Sequence, residues 1–343
     1  MKTILVTGGA GFIGSNFVNY WIQKYPKDKI LVLDNLTYAG NPANLPSKVR
    51  QQMKGFEFWY GNICNAELVD SLVGRSDLVV HFAAESHVAR SIFDNKLFFE
   101  TDVMGTHAIA TSVLKNYKKV KKFIHISTSE VYGTAEYEPM DEDHPLNPCS
   151  PYAAAKCGAD RLVYSFIKTY GIPATIVRPF NNYGPFQHLE KVVPRFITSA
   201  LRGMPLTIHG PGLAKRDWLY VHDTCQRIEA IINAPASKTN GETFNIGSGE
   251  SISVMDVAKI ILKTLGKPLS MVSHIGDRPG QVDVHISSTD KAAQVLNIKP
   301  GRSFKDGIKE TIDWYKRNQK WWEPIEWMKN IKIRSKTGKV ELH

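Results

Sequence analysis

A chain of 343 residues, 43% of them apolar, is long enough to bury a sizeable core in about two lobes. No apolar run reaches the roughly 18 residues that a membrane span needs. The opening Met1-Lys2-Thr3-Ile4-Leu5-Val6 reads as a strand and lacks the charged-then-apolar pattern of a secretion signal, so a cytoplasmic enzyme is expected.

The net charge of +10 suits a polyanionic small ligand, and no nucleic-acid recognition motif accompanies it. Part of the charge lies between Tyr315 and His343, where eight Lys or Arg face three acids. A solvated or membrane-grazing basic face is the ordinary reading of such an end. Cys64, Cys149, Cys157 and Cys225 stand far apart with no CxxC spacing. Neither a disulfide framework nor a zinc site is expected, and the histidines form no metal-ligand pairing.

In chain order, short apolar runs rich in β-branched residues fall at Thr3–Thr7, Ile30–Asp34, Phe56–Tyr60, Leu78–Phe82, Lys122–Ser127 and Ala174–Val177. Such continuous hydrophobicity marks strands buried on both faces of a parallel sheet. Helical stretches alternate with them, at Asn16–Tyr25, Asp102–Tyr117 and Ala153–Tyr170. Repeated strand–helix–strand units predict an α/β fold, a doubly wound parallel Rossmann sheet. After Pro179 the rhythm breaks into loop signals and helices at Val193–Arg202, Ser253–Leu265 and Ser303–Asn318. We expect residues 1–180, with 212–246 returning to them, to form the sheet domain. Residues 181–211 and 247–325 then make a smaller mixed lobe, and 326–343 a basic tail.

The first strand runs into Thr7-Gly8-Gly9-Ala10-Gly11-Phe12-Ile13-Gly14, which opens the first helix. Gly8 permits the tight turn, Gly11 lets backbone amides approach a pyrophosphate, and Gly14 lets helix pack on strand. Twenty residues beyond Gly14, Asp34 ends the second strand, where a carboxylate accepts hydrogen bonds from ribose hydroxyls. It repels a 2′-phosphate, and Asn35-Leu36 offers no arginine to hold one, so NAD is the expected cofactor.

Three further segments complete a catalytic set. Ser127-Thr128-Ser129-Glu130 ends one strand, Tyr152-x-x-x-Lys156 sits on a helix, and Phe82-Ala83-Ala84-Glu85-Ser86-His87 ends another strand. The four-residue spacing puts the Tyr152 phenol and the Lys156 ammonium on one helix face. A lysine and a cationic nicotinamide both favour the phenolate, which then removes the proton of a sugar hydroxyl. Thr128 is placed to hydrogen-bond at the same oxygen.

The segments TGGAGFIG, FAAE, STSEVYG, YAAAK and RPFNNYGP together resemble the extended short-chain dehydrogenase/reductases that modify nucleotide sugars. AESHVARSI, SPYAAAKCGAD, FNNYGPFQHLEKVVP, RDWLYVHD, DRPGQ and WWEP look closest to the dTDP-glucose 4,6-dehydratases, over nearly the whole chain to residue 325. The resemblance implies oxidation at C4 of the sugar, loss of water across C5 and C6, and return of hydride to C6. Glu130 is the candidate base for C5.

Two positions depart from that family. Ser129 stands where the dTDP-glucose enzymes have an aspartic acid that protonates the leaving hydroxyl, and Ala89 stands where their AESHVDRS has Asp. GDP-mannose 4,6-dehydratases are similar in carrying Thr-Ser-Glu, with Glu130 then serving as both base and acid. UDP-glucuronate decarboxylases also resemble this strand end, although Phe186 replaces their arginine. A 4-epimerase leaves Glu130 without a task, and a non-catalytic NAD-binding scaffold leaves Thr128, Tyr152 and Lys156 unexplained.

For the nucleotide-sugar substrate, the resemblance implies contacts from Asn182, Lys191 and Val192, with Arg216 and Arg278 clamping the diphosphate. Ser86 and His87 are expected to line the sugar pocket, and Ala83 the cofactor site. The family also implies a homodimer formed through the helices Asp102–Tyr117 and Ala153–Tyr170. The sequence leans toward a pyrimidine base and leaves the sugar open.

Overall fold

The computed structural model describes residues 1–276, 282–298, 300–334 and 339–342. Its large sheet is built from β1 (Thr3–Thr7), β2 (Lys29–Asp34), β3 (Phe56–Tyr60), β4 (Leu78–His81), β5 (Lys122–Ile126), β6 (Ala174–Pro179) and β7 (Thr243–Ile246). The order is β7-β6-β5-β4-β1-β2-β3, and every neighbouring pair is parallel. Alternation along β1 and β2 sends Ile4, Val6, Ile30 and Val32 to one face and Leu5, Leu31 and Leu33 to the other.

Both faces are covered. Helix Phe12–Lys24 contributes Phe17 and Trp21 to the first, beside Ile228 and Ile231 of helix Val221–Asn233. Val69, Ile109, Val113 and Val163 from three other helices cover the second. This doubly wound arrangement is the fold class expected from the apolar runs.

The smaller lobe has its own core, in which Phe196, Trp218, Ile261, Ile308, Tyr315 and Trp322 are buried together. Strand Lys215–Tyr220 is its axis, pairing with Asn181–Tyr183, Ser251–Ser253 and Val284–His285. The segment 212–246 therefore divides. Its helix Val221–Asn233 and β7 join the large domain, whereas Lys215–Tyr220 pairs within the second lobe.

The stretch read as one helix over Asp102–Tyr117 is a π-helical segment, Phe99–Gly105, running into helix Thr106–Lys115. Part of the C-terminal segment is docked on the rest of the chain, while Lys332 and Lys339 are exposed. Lys329 is buried, its ammonium 2.8 Å from Glu326 and its carbonyl accepting from Arg195 at 3.0 Å. Ile331 packs on Ala89, and Lys332–Arg334 pairs antiparallel with Val340–Leu342.

Candidate active site

One cleft of about 430 Å³ runs along the carboxyl ends of the large sheet's strands and under the second lobe. At its sheet end lie Gly8, Gly11, Phe12, Ile13 and Gly14, followed by Asp34 and Asn35 at the end of β2. A Cβ on Gly8, where φ is +68°, would stand 2.5 Å from the Ala83 nitrogen, and one on Gly14 would stand 2.2 Å from the Gly8 carbonyl oxygen. The loop is thus as tight as the glycines allow, and Gly11 leaves its mouth open.

Asp34 is buried, and its carboxylate accepts from the amides of Ala10 (2.9 Å) and Leu36 (2.8 Å). Burial raises its pKa, with those two amides opposing the shift. These residues fit a dinucleotide: an amide-lined turn at a helix start for the pyrophosphate, and a carboxylate for the ribose.

The chemistry-bearing side chains converge in the middle of the cleft. Helix Pro151–Tyr170 starts where Ser150 accepts from the Ala153 amide at 3.1 Å, with Pro151 in the first turn, and ends at Gly171 in the left-handed region. Its spacing points both Tyr152 and Lys156 inward, and both are buried. The Lys156 ammonium donates to the Ile126 carbonyl at 2.7 Å, pinning the helix to the end of β5. Just past β5, Thr128 caps the turn Ser129–Tyr132 by accepting from the Glu130 amide at 3.2 Å. Its hydroxyl also hydrogen-bonds Tyr152.

Burial pushes the Tyr152 phenol above its ordinary range, and the Thr128 hydroxyl opposes the shift. Burial pushes the Lys156 ammonium down, against the charges of Asp102 and Asp160. Behind the pair, Asp160 accepts from Ser127 (2.8 Å) and from Arg178 (2.9 and 3.0 Å), which braces β5, β6 and the helix together.

The far end of the cleft is polar. Ser86, His87, Asn182, Lys191 and Val192 all line it, and Lys191 donates to the Ser86 carbonyl at 2.8 Å. Glu190, missed in the sequence, is buried there with its carboxylate 3.0 Å from Arg90 and 3.9 Å from His87. This links helix Val88–Phe93 to the loop before helix Val192–Leu201. Gln187 and His188 line the same wall and bury polar atoms that have no partner among the described residues. Short polar residues in a loop carry no periodicity, so only a motif match pointed near them.

Arg216 lies outside the cleft lining, with its guanidinium on the carbonyls of Lys215 (2.8 Å) and Asp283 (3.5 Å). Arg278 falls outside the described residues. A further acid that the sequence did not single out, Asp102, sits behind Tyr152 and Lys156, almost wholly buried. No cluster of metal-ligating side chains occurs among the described residues, and no helix there is long and apolar enough to cross a membrane.

Comparison with known proteins agrees with this geometry. Residues 5–311 match the family model described as GDP-mannose 4,6 dehydratase. A dTDP-glucose 4,6-dehydratase of Streptomyces niveus is 39% identical over 327 residues, covering 94% of this chain and 95% of that protein. One from Streptomyces antibioticus is 40% identical over 328 residues, with the same coverage. The crystal structure of DesIV, a dTDP-glucose 4,6-dehydratase from Streptomyces venezuelae with NAD and TYD bound, superposes with a TM-score of 0.88. It is 40% identical and covers 94% of this chain and 99% of its own. The chain belongs to the GDP-mannose 4,6 dehydratase family.

Proposed function

We propose that this chain, an NAD-dependent nucleotide-sugar 4,6-dehydratase, acts on a thymidine diphospho-hexose, with Tyr152 and Glu130 handling the protons. The observation that carries the reading is one cleft holding both the glycine cradle with Asp34 and the set Thr128, Glu130, Tyr152 and Lys156. The relatives named dTDP-glucose 4,6-dehydratase, aligned over almost all of the chain, support thymidine as the base.

NAD, held by Gly8, Gly11–Gly14, Asp34 and Asn35, supplies hydride uptake and return at the sugar, and positive charge when oxidised. The protein does the rest. Tyr152 takes the C4 hydroxyl proton, with Thr128 fixing the oxygen. The C4 ketone acidifies C5, and Glu130, at the cleft surface, removes that proton. Ser129 is buried beside it and is a poor acid. Glu130 therefore passes its new proton to the departing C6 hydroxyl, which leaves as water. Glu130 then takes a proton from solvent and delivers it to C5.

Asn182, Lys191 and Val192 frame the nucleotide, and Ser86 and His87 the sugar. Arg216 and Arg278 belong to the diphosphate end of the same reading. Exposed side chains at Met104, Tyr117, Tyr164 and Tyr170 on the two expected dimer helices support a homodimer. The absence of a spanning helix among the described residues is consistent with a cytoplasmic enzyme.

Calorimetric titration of the NAD-loaded protein with dTDP, UDP and GDP tests the base. The tightest Kd is expected for dTDP, and tightest binding of GDP overturns the thymidine assignment.

A further inference from the structure

Four side chains from three separate segments close into a ring beside the cleft. The Arg90 guanidinium, on helix Val88–Phe93, lies 4.0 Å from the centre of the Tyr38 ring and donates to the Glu190 carboxylate at 3.0 Å. The other Glu190 oxygen lies 3.7 Å from Nδ1 of His188. The His188 ring meets Tyr38 edge to face, with centres 5.4 Å apart. A flat guanidinium serves a carboxylate at its edge and an aromatic ring at its face together, which a compact ammonium does not.

The ring joins the two lobes. Tyr38 and Arg90 come from the sheet domain, and His188 and Glu190 from the loop that leads into helix Val192–Leu201. At one end the ring reaches the ribose site. Asp34 accepts from the Leu36 amide at 2.8 Å, and Tyr38 follows two residues later, between the cleft-lining Thr37 and Ala39. At the other end it reaches Lys191, which adjoins Glu190, lines the cleft and donates to the Ser86 carbonyl at 2.8 Å. Tyr38 and Arg90 themselves are not part of the cleft lining. Any effect they have on a ligand therefore passes through their neighbours.

The loop that carries Tyr38 has room to shift. Its Leu36 has φ +48°, a left-handed conformation that a branched side chain keeps only when its surroundings hold it there. Behind it lies a second cavity of about 220 Å³, lined by Tyr38, Gly40, Phe186, His188, Trp321 and Ile325. Tyr38 is thus covered by Arg90 and borders that cavity.

We propose that Tyr38 and Arg90 are positioning residues that couple the two halves of the cleft. Filling the ribose site at Asp34 sets the loop, and Tyr38, Arg90 and Glu190 in turn set the Lys191 end for the sugar nucleotide. Neither Tyr38 nor Arg90 touches the reacting atoms. Such coupling is reciprocal, so the nucleotide tightens NAD binding by the same factor. The inference rests on the reading of the cleft as a joint site for NAD and a nucleotide sugar.

The test is calorimetric titration of this chain, NAD-loaded and NAD-free, with dTDP, UDP and GDP. For the nucleotide that binds tightest, the wild-type Kd should be roughly tenfold lower with NAD than without. In Tyr38→Leu, which removes the ring face, that ratio should fall to within about twofold of one. Tyr38→Phe restores the face and should restore the ratio. Arg90→Lys keeps a charge for Glu190 but loses the flat guanidinium, and should behave like Y38L. In turnover by NAD-loaded Y38L, KM for the sugar nucleotide should rise about tenfold with kcat within about twofold. A merely structural role would weaken both forms alike and leave the ratio unchanged. Equal Kd values for the wild type with and without NAD, or a wild-type ratio in Y38L, overturns the proposal. A wild type that binds none of the three nucleotides when loaded with NAD instead overturns the nucleotide-sugar reading on which it stands.

Discussion

Ile331 packs directly on Ala89, so the C-terminal segment rests on the helix that carries Arg90 and follows His87. The contact joins the C-terminal segment to one wall of the substrate cleft. It also explains one departure from the related dehydratases. The aspartate found in their motif would here put a carboxylate beneath an isoleucine that is 7% exposed.

Ile331→Ala should therefore cost about 2 kcal/mol in denaturant unfolding. It should also raise KM for the sugar nucleotide more than it lowers kcat, because the helix holds the Arg90–Glu190 tie. Equal stability of variant and wild type would contradict this anchoring.

Glu130 exchanges its proton with solvent in every cycle, so product formed in deuterium oxide should carry one deuterium at C5. Tyr152→Phe should lower turnover on the order of 10²- to 10⁴-fold while NAD still binds. Glu130→Gln should abolish both water loss and C5 labelling. Mass and proton spectra of the product check all three. Full turnover without label would mean that another donor supplies the leaving group.

Gly8→Ala should weaken NAD binding roughly tenfold or more, from strain alone. The position has φ +68°, and its Cβ would press on the Ala83 backbone. Calorimetric Kd for NAD measures the effect, and an unchanged Kd would remove Gly8 from the cofactor cradle.

The buried Asp102 carboxyl makes stability depend on pH. Its folded pKa is raised to about 7, whereas an unfolded aspartate ionises at about 3.9. Between those values the folded chain holds a proton that the unfolded chain has lost, so this group's contribution to stability falls as pH rises. Asn at 102 is neutral throughout. The Tm advantage of D102N over wild type should open between about pH 4 and pH 7 and then level off. A gap that does not change with pH would contradict the raised pKa.

Much of this was legible in the sequence because it depends on local pattern. Strand runs such as Ile4-Leu5-Val6 are buried on both sides, and the glycine loop is a backbone requirement that few other residues meet. Tyr152 and Lys156 are one helical turn apart, so their convergence follows from spacing. Asp102, Glu190 and His188 were not legible, because their roles come from contacts between segments far apart in the chain. The same holds for β7, whose short run Thr243–Ile246 finds its partner only across the sheet in β6. Arg216 was read from a matched motif, and its guanidinium donates to the carbonyls of Lys215 and Asp283. The charge of the C-terminal stretch hid Ile331, which packs on Ala89.

The most direct test of the central claim is mass spectrometry of the NAD-loaded protein with dTDP-glucose, UDP-glucose, UDP-N-acetylglucosamine, GDP-mannose and UDP-glucuronate. The account predicts loss of one water from dTDP-glucose, absent in Tyr152→Phe and Glu130→Gln. Loss of carbon dioxide from UDP-glucuronate, with the neutral sugars untouched, would contradict it and make Ser129 the mark of a decarboxylase.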